Sequence, residues 1–460
     1  MCLPLEMLMK LDESRDFSQD QIAAAIRSAI KPKAAKKRLK CCMIELAKDD
    51  DTGSIGAHFV ADHARREGFD VERLPPDSTA SGYDVELVSV HHCTDWPRLA
   101  NLPKRGKIRI IGGHVMSNNA RPGIPLSDVV CVGEGESWIK AALNRLEENL
   151  DPYSLRGLPG TIVSTDHKPG DPIPEPNIED PLPDNGPYLN RPGTLSARWY
   201  IEIARGCPWK CHYCELGHSM PYRHYPTETI LQKMAMIDPI GSKKLNFFAP
   251  DEASHPGYNK LMDELRRLKY QQAFGSYRVD QVIRKDVVPY SKSQLVRVGV
   301  DGLTEATRMR VNKRISDDML VEFFKKLSGH GHVQFKMFML IGYPWEKAED
   351  FKEWELLMRR IASIPVKKNC WVRIKWTPLI PQPCTPLADA KAQYDMKLAA
   401  KIHRWHALHR NIVKHPGWHF ECDGLMGIES HKKQIDLTWG DEYMLIKNAS
   451  YVNPTWRQNV

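Results

Sequence analysis

Cys207, Cys211 and Cys214 stand close together in "IARGCPWKCHYCELG", residues 203–217, with the spacing C-x3-C-x2-C. Thiolates are metal ligands, and four of them close a tetrahedral zinc site. No fourth cysteine lies near these three. Three thiolates can instead hold three irons of a [4Fe–4S] cluster and leave the fourth iron open. An open metal position marks a reactive site rather than a structural one. A zinc knuckle and three free thiols are the plainer readings of the same residues.

Such a loop needs elements that hold it. From 198 to about 385, strand candidates alternate with helical stretches: "RWYIEIA", "KLNFFAP", "AFGSYRV", "LVRVGVD", "VQFKMFMLIG" and "CWVRIKWTPL". Helices such as "YNKLMDELRRLKY" and "DDMLVEFFKKLSGHG" separate them. The pattern predicts a parallel, partial (β/α)6 barrel over 198–390. The cysteines follow its first strand, which places them at the C-terminal mouth where barrel chemistry sits.

An earlier series precedes it. "CCMIEL", "DVERL", "DVELVSV", "KIRIIGG" and "DVVCVGEGE" are strands, with helices in "IGAHFVADHARREGF" and "SWIKAALNRLEENL". This predicts a doubly wound α/β domain over 41–156. Gly112, Gly113, Gly133 and Gly135 fall at its strand ends, as tight turns or as ligand contacts. Residues 157–197 are rich in proline and acids and read as an extended linker. Residues 1–40 read as a helical lead-in ending in the basic run "KPKAAKKRLK", and 391–460 as a helical C-terminal extension.

The composition, 42% hydrophobic and 27% charged over 460 residues, is that of a globular protein of two or three domains. No run of about 18 apolar residues is present, and the N-terminus lacks the apolar core of a signal peptide, so a cytoplasmic protein with no membrane span is expected. Its eleven cysteines are then thiols or metal ligands rather than disulfides. The net charge of +8 suits an anionic substrate or nucleic acid. The cation- and aromatic-rich "KIHRWHALHRNIVKHPGWHF" suits base stacking.

The cysteine motif, with Tyr213 just before the third cysteine, resembles the radical S-adenosylmethionine (SAM) superfamily. The resemblance implies that Cys207, Cys211 and Cys214 ligate a [4Fe–4S] cluster and that SAM chelates its open iron. An electron from a donor such as flavodoxin or ferredoxin then cleaves SAM to a 5′-deoxyadenosyl radical. Later segments match in order. "NFFAPDEAS" offers Asp251 and Glu252 to the SAM amino group, and Arg278 of "GSYRVD" could meet a carboxylate. "VGVDGLTEATRMRVNKR" offers Asp301, with Asn312 and Lys313 as a pair. "MLIGYPWE" offers Gly342, Pro344 and Glu346. In "TPLIPQPCTPL", Cys384 replaces a usual glycine; it is either a hydrogen-atom donor to a product radical or a small buried hydrophobe.

"IIGGHVMSNNARPGIPLSDVVCVGEGE" is similar to the cobalamin-binding-domain subfamily of these enzymes. Many such domains give cobalt a histidine from D-x-H-x-x-G after the first strand. Here "DTGSIG" runs from Asp51 to Gly56 and has Gly53 in that place, so the position supplies no imidazole. His58, His91, His92 and His114 lie in the same domain and read as surface or packing residues. The expected function is a radical SAM enzyme that rearranges or modifies a carbon centre without cobalamin, with a hypermodified nucleic-acid base as one substrate. The alternatives are a cobalamin-dependent radical SAM C-methyltransferase and an iron–sulfur binding or sensory protein.

Overall fold

The computed structural model describes residues 38–46, 55–190, 197–237, 242–272, 274–286, 295–412 and 417–457. Asp51, Gly53 and residues 1–37 of the basic lead-in lie outside the described residues. Residues 40–460 group as one unit.

The first sheet holds β1 (Lys40–Glu45), β2 (Asp70–Leu74), β3 (Tyr83–Ser89), β4 (Gly106–Gly112), β5 (Val129–Cys131) and β6 (Thr161–Val163) in the order β2-β1-β3-β4-β5-β6. Strands β1 to β5 run parallel, and β6 closes the edge antiparallel. Val85, Leu87, Val88, Ile108, Ile110 and Ile111 are all buried, because a parallel sheet is covered on both faces. Helix Ile55–Arg66 turns Ile55, Phe59 and Ala61 inward and packs beside Glu136–Glu148.

The second series holds β7 (Tyr188–Asn190), β8 (Arg198–Glu202), the short pair β9 (Ala204–Arg205) and β10 (Arg223–His224), β11 (Leu245–Phe248), β12 (Phe274–Tyr277), β13 (Leu295–Gly299), β14 (Gln334–Ile341), β15 (Cys370–Pro378) and β16 (Trp418–Leu425). Among the described residues they form sheets β11-β8-β7 and β12-β13-β14-β15-β16, with a parallel bridge from Lys244 to Gln271 between them. Buried residues alternate along β14 and β15. Phe335, Met337, Val372 and Trp376 join the core with Phe323, Trp354 and Trp405 of the flanking helices. The α/β class with a doubly wound domain and a partial barrel is the architecture seen.

Two segments differ from expectation. The proline-rich stretch is not merely a linker: it supplies β6 and β7, since Ile162, Val163 and Tyr188 find apolar cover. The tail is not merely a helical extension. Its β16 adds a seventh parallel strand beside β15, and Leu437, Ile446, Val452 and Trp456 return to the core of the first domain. There Tyr451 donates to Asp128 at 2.6 Å and lies over Arg109, which pairs with buried Glu86 at 2.9 Å. The tail aromatics Trp405, Trp418 and Phe420 are buried in the barrel core, so they offer no stacking platform. Gly113 and Gly133 are explained by close packing: an added Cβ would lie 2.2 Å from the Val90 carbonyl oxygen and 2.3 Å from that of Asn177.

Candidate functional site

The cysteine loop leaves β9 through Gly206, whose φ of 68° favours glycine. A Cβ there would stand 2.3 Å from the Pro221 carbonyl oxygen, in the chain that returns to β10. Arg205 anchors the loop's start among carboxylates, pairing with Glu202 at 2.7 Å and with Glu136 of the first domain. Burial alone would lower its pKa, but those carboxylates raise it well above the usual value.

Two neighbouring segments hold the loop. Asn312 donates Nδ2 to the carbonyls of Trp209 (3.1 Å) and Lys210 (3.0 Å), and the His212 amide donates to Val311 at 3.0 Å. The Leu387 amide donates to His212 at 3.2 Å. Cys211 is buried, while Cys207 and Cys214 are half-buried. Burial pushes the Cys207 thiol up and the Cys214 thiol up to about 12, so a bound cation is needed to bring out their thiolates.

Polar groups surround the thiols. Arg278 donates Nη1 to the Cys211 sulfur at 3.5 Å and Nη2 to the Lys313 carbonyl at 2.7 Å, pairs with Asp280 at 2.9 Å, and lies over the Trp209 ring. Asp251 accepts from Trp209 Nε1 at 2.6 Å and from Ser254 at 2.5 Å through Oδ2; its buried Oδ1 has no partner. Asp301 accepts from Tyr213 at 2.7 Å and pairs with Lys313 at 2.7 Å. Gly299 makes room for that pair, since a Cβ would come within 2.8 Å of the Asp301 carboxylate. Glu215 follows Cys214 and lies 3.2 Å from His114 of the first domain. Burial opposes its charge, but His114 holds its pKa below the usual value.

Residues 201–354 match the Radical SAM superfamily. They are a radical SAM domain. Its cofactors are a [4Fe–4S] cluster and SAM. The chain is 25% identical over 352 residues to the hopanoid C-3 methylase of Methylococcus capsulatus, covering 68% of this chain and 66% of that one. It is 23% identical over 279 residues to the ribosomal protein uS12 methylthiotransferase RimO of Geotalea uraniireducens, covering 54% of this chain and 60% of that one. The fold resembles the cobalamin-dependent SAM radical enzyme OxsB with aqua-cobalamin and SAM bound. That match has a TM-score of 0.50 and 12% identity, and covers 72% of this chain and 54% of that one. The apo OxsB structure gives a TM-score of 0.51, at 13% identity over 76% of this chain and 55% of that one. The chain thus spans about half the length of OxsB and just under two thirds of the hopanoid methylase.

The donor set of the radical SAM domain fits its cluster. No three His, Cys, Asp or Glu side chains among the described residues gather as a single metal ion requires. A cubane asks for one thiolate per iron, which a loop of separate thiols can meet. Of the residues expected at the cofactor site, Arg278 and Asp301 stand beside the loop. Glu252 turns away: it is buried against Gln272 at 2.9 Å, and burial, then the Asp251 charge, raise its pKa well above the usual value. Glu346 folds back so that its Oε2 accepts from the Gly342 amide at 2.5 Å, while its buried Oε1 has no partner. Gly342 adopts φ 80° and bonds the Gln393 amide at 2.7 Å. Cys384 is half-buried near Glu215, and burial followed by the Glu215 charge pushes its thiol up to about 11. Sequence reasoning missed the Trp209–Asp251 bond and the His114–Glu215 contact. Trp209 lies inside the cysteine motif, but His114 carries no local signal.

Proposed function

We propose that the chain is a radical SAM enzyme that methylates an unactivated carbon with the help of cobalamin. The observation that carries the reading is the meeting of two strand-end sites: His114, just beyond β4, touches Glu215, which follows the third cysteine. Cys207, Cys211 and Cys214 are the cluster ligands in this reading. The unpartnered Asp251 Oδ1 receives the SAM amino group, and Arg278 stabilises the Cys211 thiolate by its charge. When bound, the reduced cluster and SAM supply a radical that takes hydrogen from an inert C–H bond, and cobalamin supplies the methyl group.

The residues present fit an amide-bearing ligand at the ends of the first sheet. A cleft of about 430 Å³ is lined by Met116–Asn119, Arg121 and Trp439–Asp441. Ser117 Oγ and Asn118 Oδ1 are buried in its wall without partners. The hopanoid relative supports carbon as the methyl acceptor. Flavodoxin or ferredoxin is the electron donor we assign. Cys384 keeps its S–H at neutral pH, which suits a hydrogen-atom donor only in the rearrangement reading below, where a product radical must be quenched. A nucleic-acid base stays among the substrates on net charge alone, because the tail aromatics are core residues.

Rearrangement without cobalamin is the second reading, favoured by Gly53 in the place of a cobalt-binding histidine. The test is to reconstitute the protein with iron, sulfide and hydroxocobalamin, then add SAM and dithionite. Methyl transfer expects one cobalt per chain, with S-adenosylhomocysteine formed beside 5′-deoxyadenosine. Substoichiometric cobalt and no S-adenosylhomocysteine would replace methyl transfer with rearrangement. Absence of 5′-deoxyadenosine would overturn both.

A further inference from the structure

The inner face of β13 to β16 carries charge that the cofactor site does not use. Registered residues of a parallel sheet point to the same side. Arg297, Lys336, Arg373 and Glu421 are in register and form one charged row. The row below is aromatic: Trp371 stacks on His419 with ring centroids 4.3 Å apart. The row above reads Gly299, Phe338, Lys375 and Gly424. The Asp301–Lys313 pair stands over Gly299 and bonds Tyr213 of the cysteine loop, so this face leads to the radical site.

The charges on this face do not balance. Beside Arg297, the cations Lys336, Arg373 and Lys375 have only two acids of β16 paired with them among the described residues, Glu421 and Asp423. Lys336 takes Asp423 at 2.5 Å. Arg373 reaches Glu421 at only 3.8 Å, with 47% of its side chain exposed. Lys375 is half-buried and has no ion-pair partner among the described residues. The sheet is shaped around it. The register shifts between Ile374 and Lys375, and opposite stands Gly424 at φ 133°, where a Cβ would lie 3.1 Å from the Lys375 ammonium. A lysine whose stem is covered and whose ammonium has no acid beside it is open to an anion.

We propose that Lys375, supported by Arg373, binds an anionic group of the substrate, a phosphate or a carboxylate. Lys375 and Gly299, over which the Lys313 ammonium stands, lie two strands apart in one row, about 10 Å across the sheet. That span suits a small molecule with its anion at Lys375 and its reacting carbon at the cysteine loop. The placement of that carbon rests on the radical-enzyme reading above; the anion site does not.

The experiment is lysine acetylation of the reconstituted full-length protein with a water-soluble acylating reagent, read by peptide mass spectrometry. Pyrophosphate probes the phosphate source and citrate the carboxylate source, with exposed Lys352 as the reference. At least one anion should slow Lys375 acetylation several-fold while leaving Lys352 unchanged, and which anion does so names the source. In parallel, Lys375→Gln should weaken binding of the protecting anion about tenfold or more, as loss of a charge-assisted hydrogen bond predicts. Equal labelling with and without both anions, or a Lys375 that never labels, would overturn the proposal. Neither readout depends on SAM cleavage, so failure here leaves the radical-enzyme reading to its own assay.

Discussion

His114 Nε2 lies 3.2 Å from Glu215 Oε1, joining the turn after β4 to the residue that follows the third cysteine. Both side chains are about one quarter exposed, at 25% and 23%. Two halves of the chain about a hundred residues apart therefore share one contact at the mouth of the barrel. His114→Ala and Glu215→Ala should each destabilise the metal-free protein by about 0.5–1.5 kcal/mol. The double variant should cost less than the sum, because either change alone removes the same contact. Denaturant melts of the four proteins measure the coupling, and strict additivity would mean the two side chains do not interact in solution.

Gly206 allows the cysteine loop to turn back on itself. Its φ of 68° is strained for any L side chain, and a Cβ would press on the Pro221 carbonyl at 2.3 Å. Gly206→Ala should leave the far-UV spectrum intact, since both cores lie elsewhere. It should lower reconstituted iron well below wild type, because the loop can no longer present its thiols together. Full iron loading of a folded Gly206→Ala protein would contradict this account of the loop.

Much of this molecule is legible in its sequence, and the limits have physical causes. The cysteines, the alternating series and the strand-end segments are local patterns, so Cys207, Cys211, Cys214, Arg278 and Asp301 could be picked out residue by residue. Sequence offers Asp251 and Glu252 alike, because an acid after the second strand is all that it can show. Which of two adjacent carboxylates faces the loop depends on a short 3-10 turn over Glu252–Ser254 and on Trp209. The tail failed differently. Trp405 and Trp418 have the composition of a stacking surface, yet they fill the core between β15, β16 and the flanking helices. Trp456 docks on a domain some 300 residues earlier in the chain, donating to the Ser164 carbonyl at 2.9 Å, and no periodicity encodes such a contact.

That docking gives a stability prediction. Trp456 is fully buried in the core of the first domain, so Trp456→Ala should cost about 3–5 kcal/mol. A chemical melt should locate the loss in the first domain. Hydrogen exchange should quicken in β4 and β5 before it quickens in β14 and β15. Uniform exchange throughout would show that the tail does not act on the first domain in particular.

The two acids after β11 separate by substitution. Asp251→Asn leaves the Trp209 bond but removes the charge that faces the loop, and should weaken SAM binding about tenfold or more. Glu252→Gln replaces a carboxyl that burial and the Asp251 charge push toward its neutral form and that bonds Gln272 rather than the loop, so SAM affinity should hardly change. Equilibrium binding of SAM to the two reconstituted variants decides the matter. The reverse ranking would return Glu252 to the cofactor site.

Glu346 gives a pH test of the metal-free protein. Burial raises its pKa to about 7, against roughly 4.3 for a free glutamate. A raised carboxyl pKa means that the folded state binds the proton more tightly than the unfolded state does. Its contribution is therefore fully present below about pH 4 and is lost as pH rises toward 7, where the carboxylate must ionise inside the fold. The whole effect is bounded at roughly 4 kcal/mol, less what solvent screening removes. Glu346→Gln keeps an acceptor for the Gly342 amide and removes the titration. The variant should match wild type at pH 4 and exceed its melting temperature at pH 8. A variant less stable than wild type at pH 8 would mean that the carboxylate is stabilised where it sits, by a partner of its unpaired Oε1.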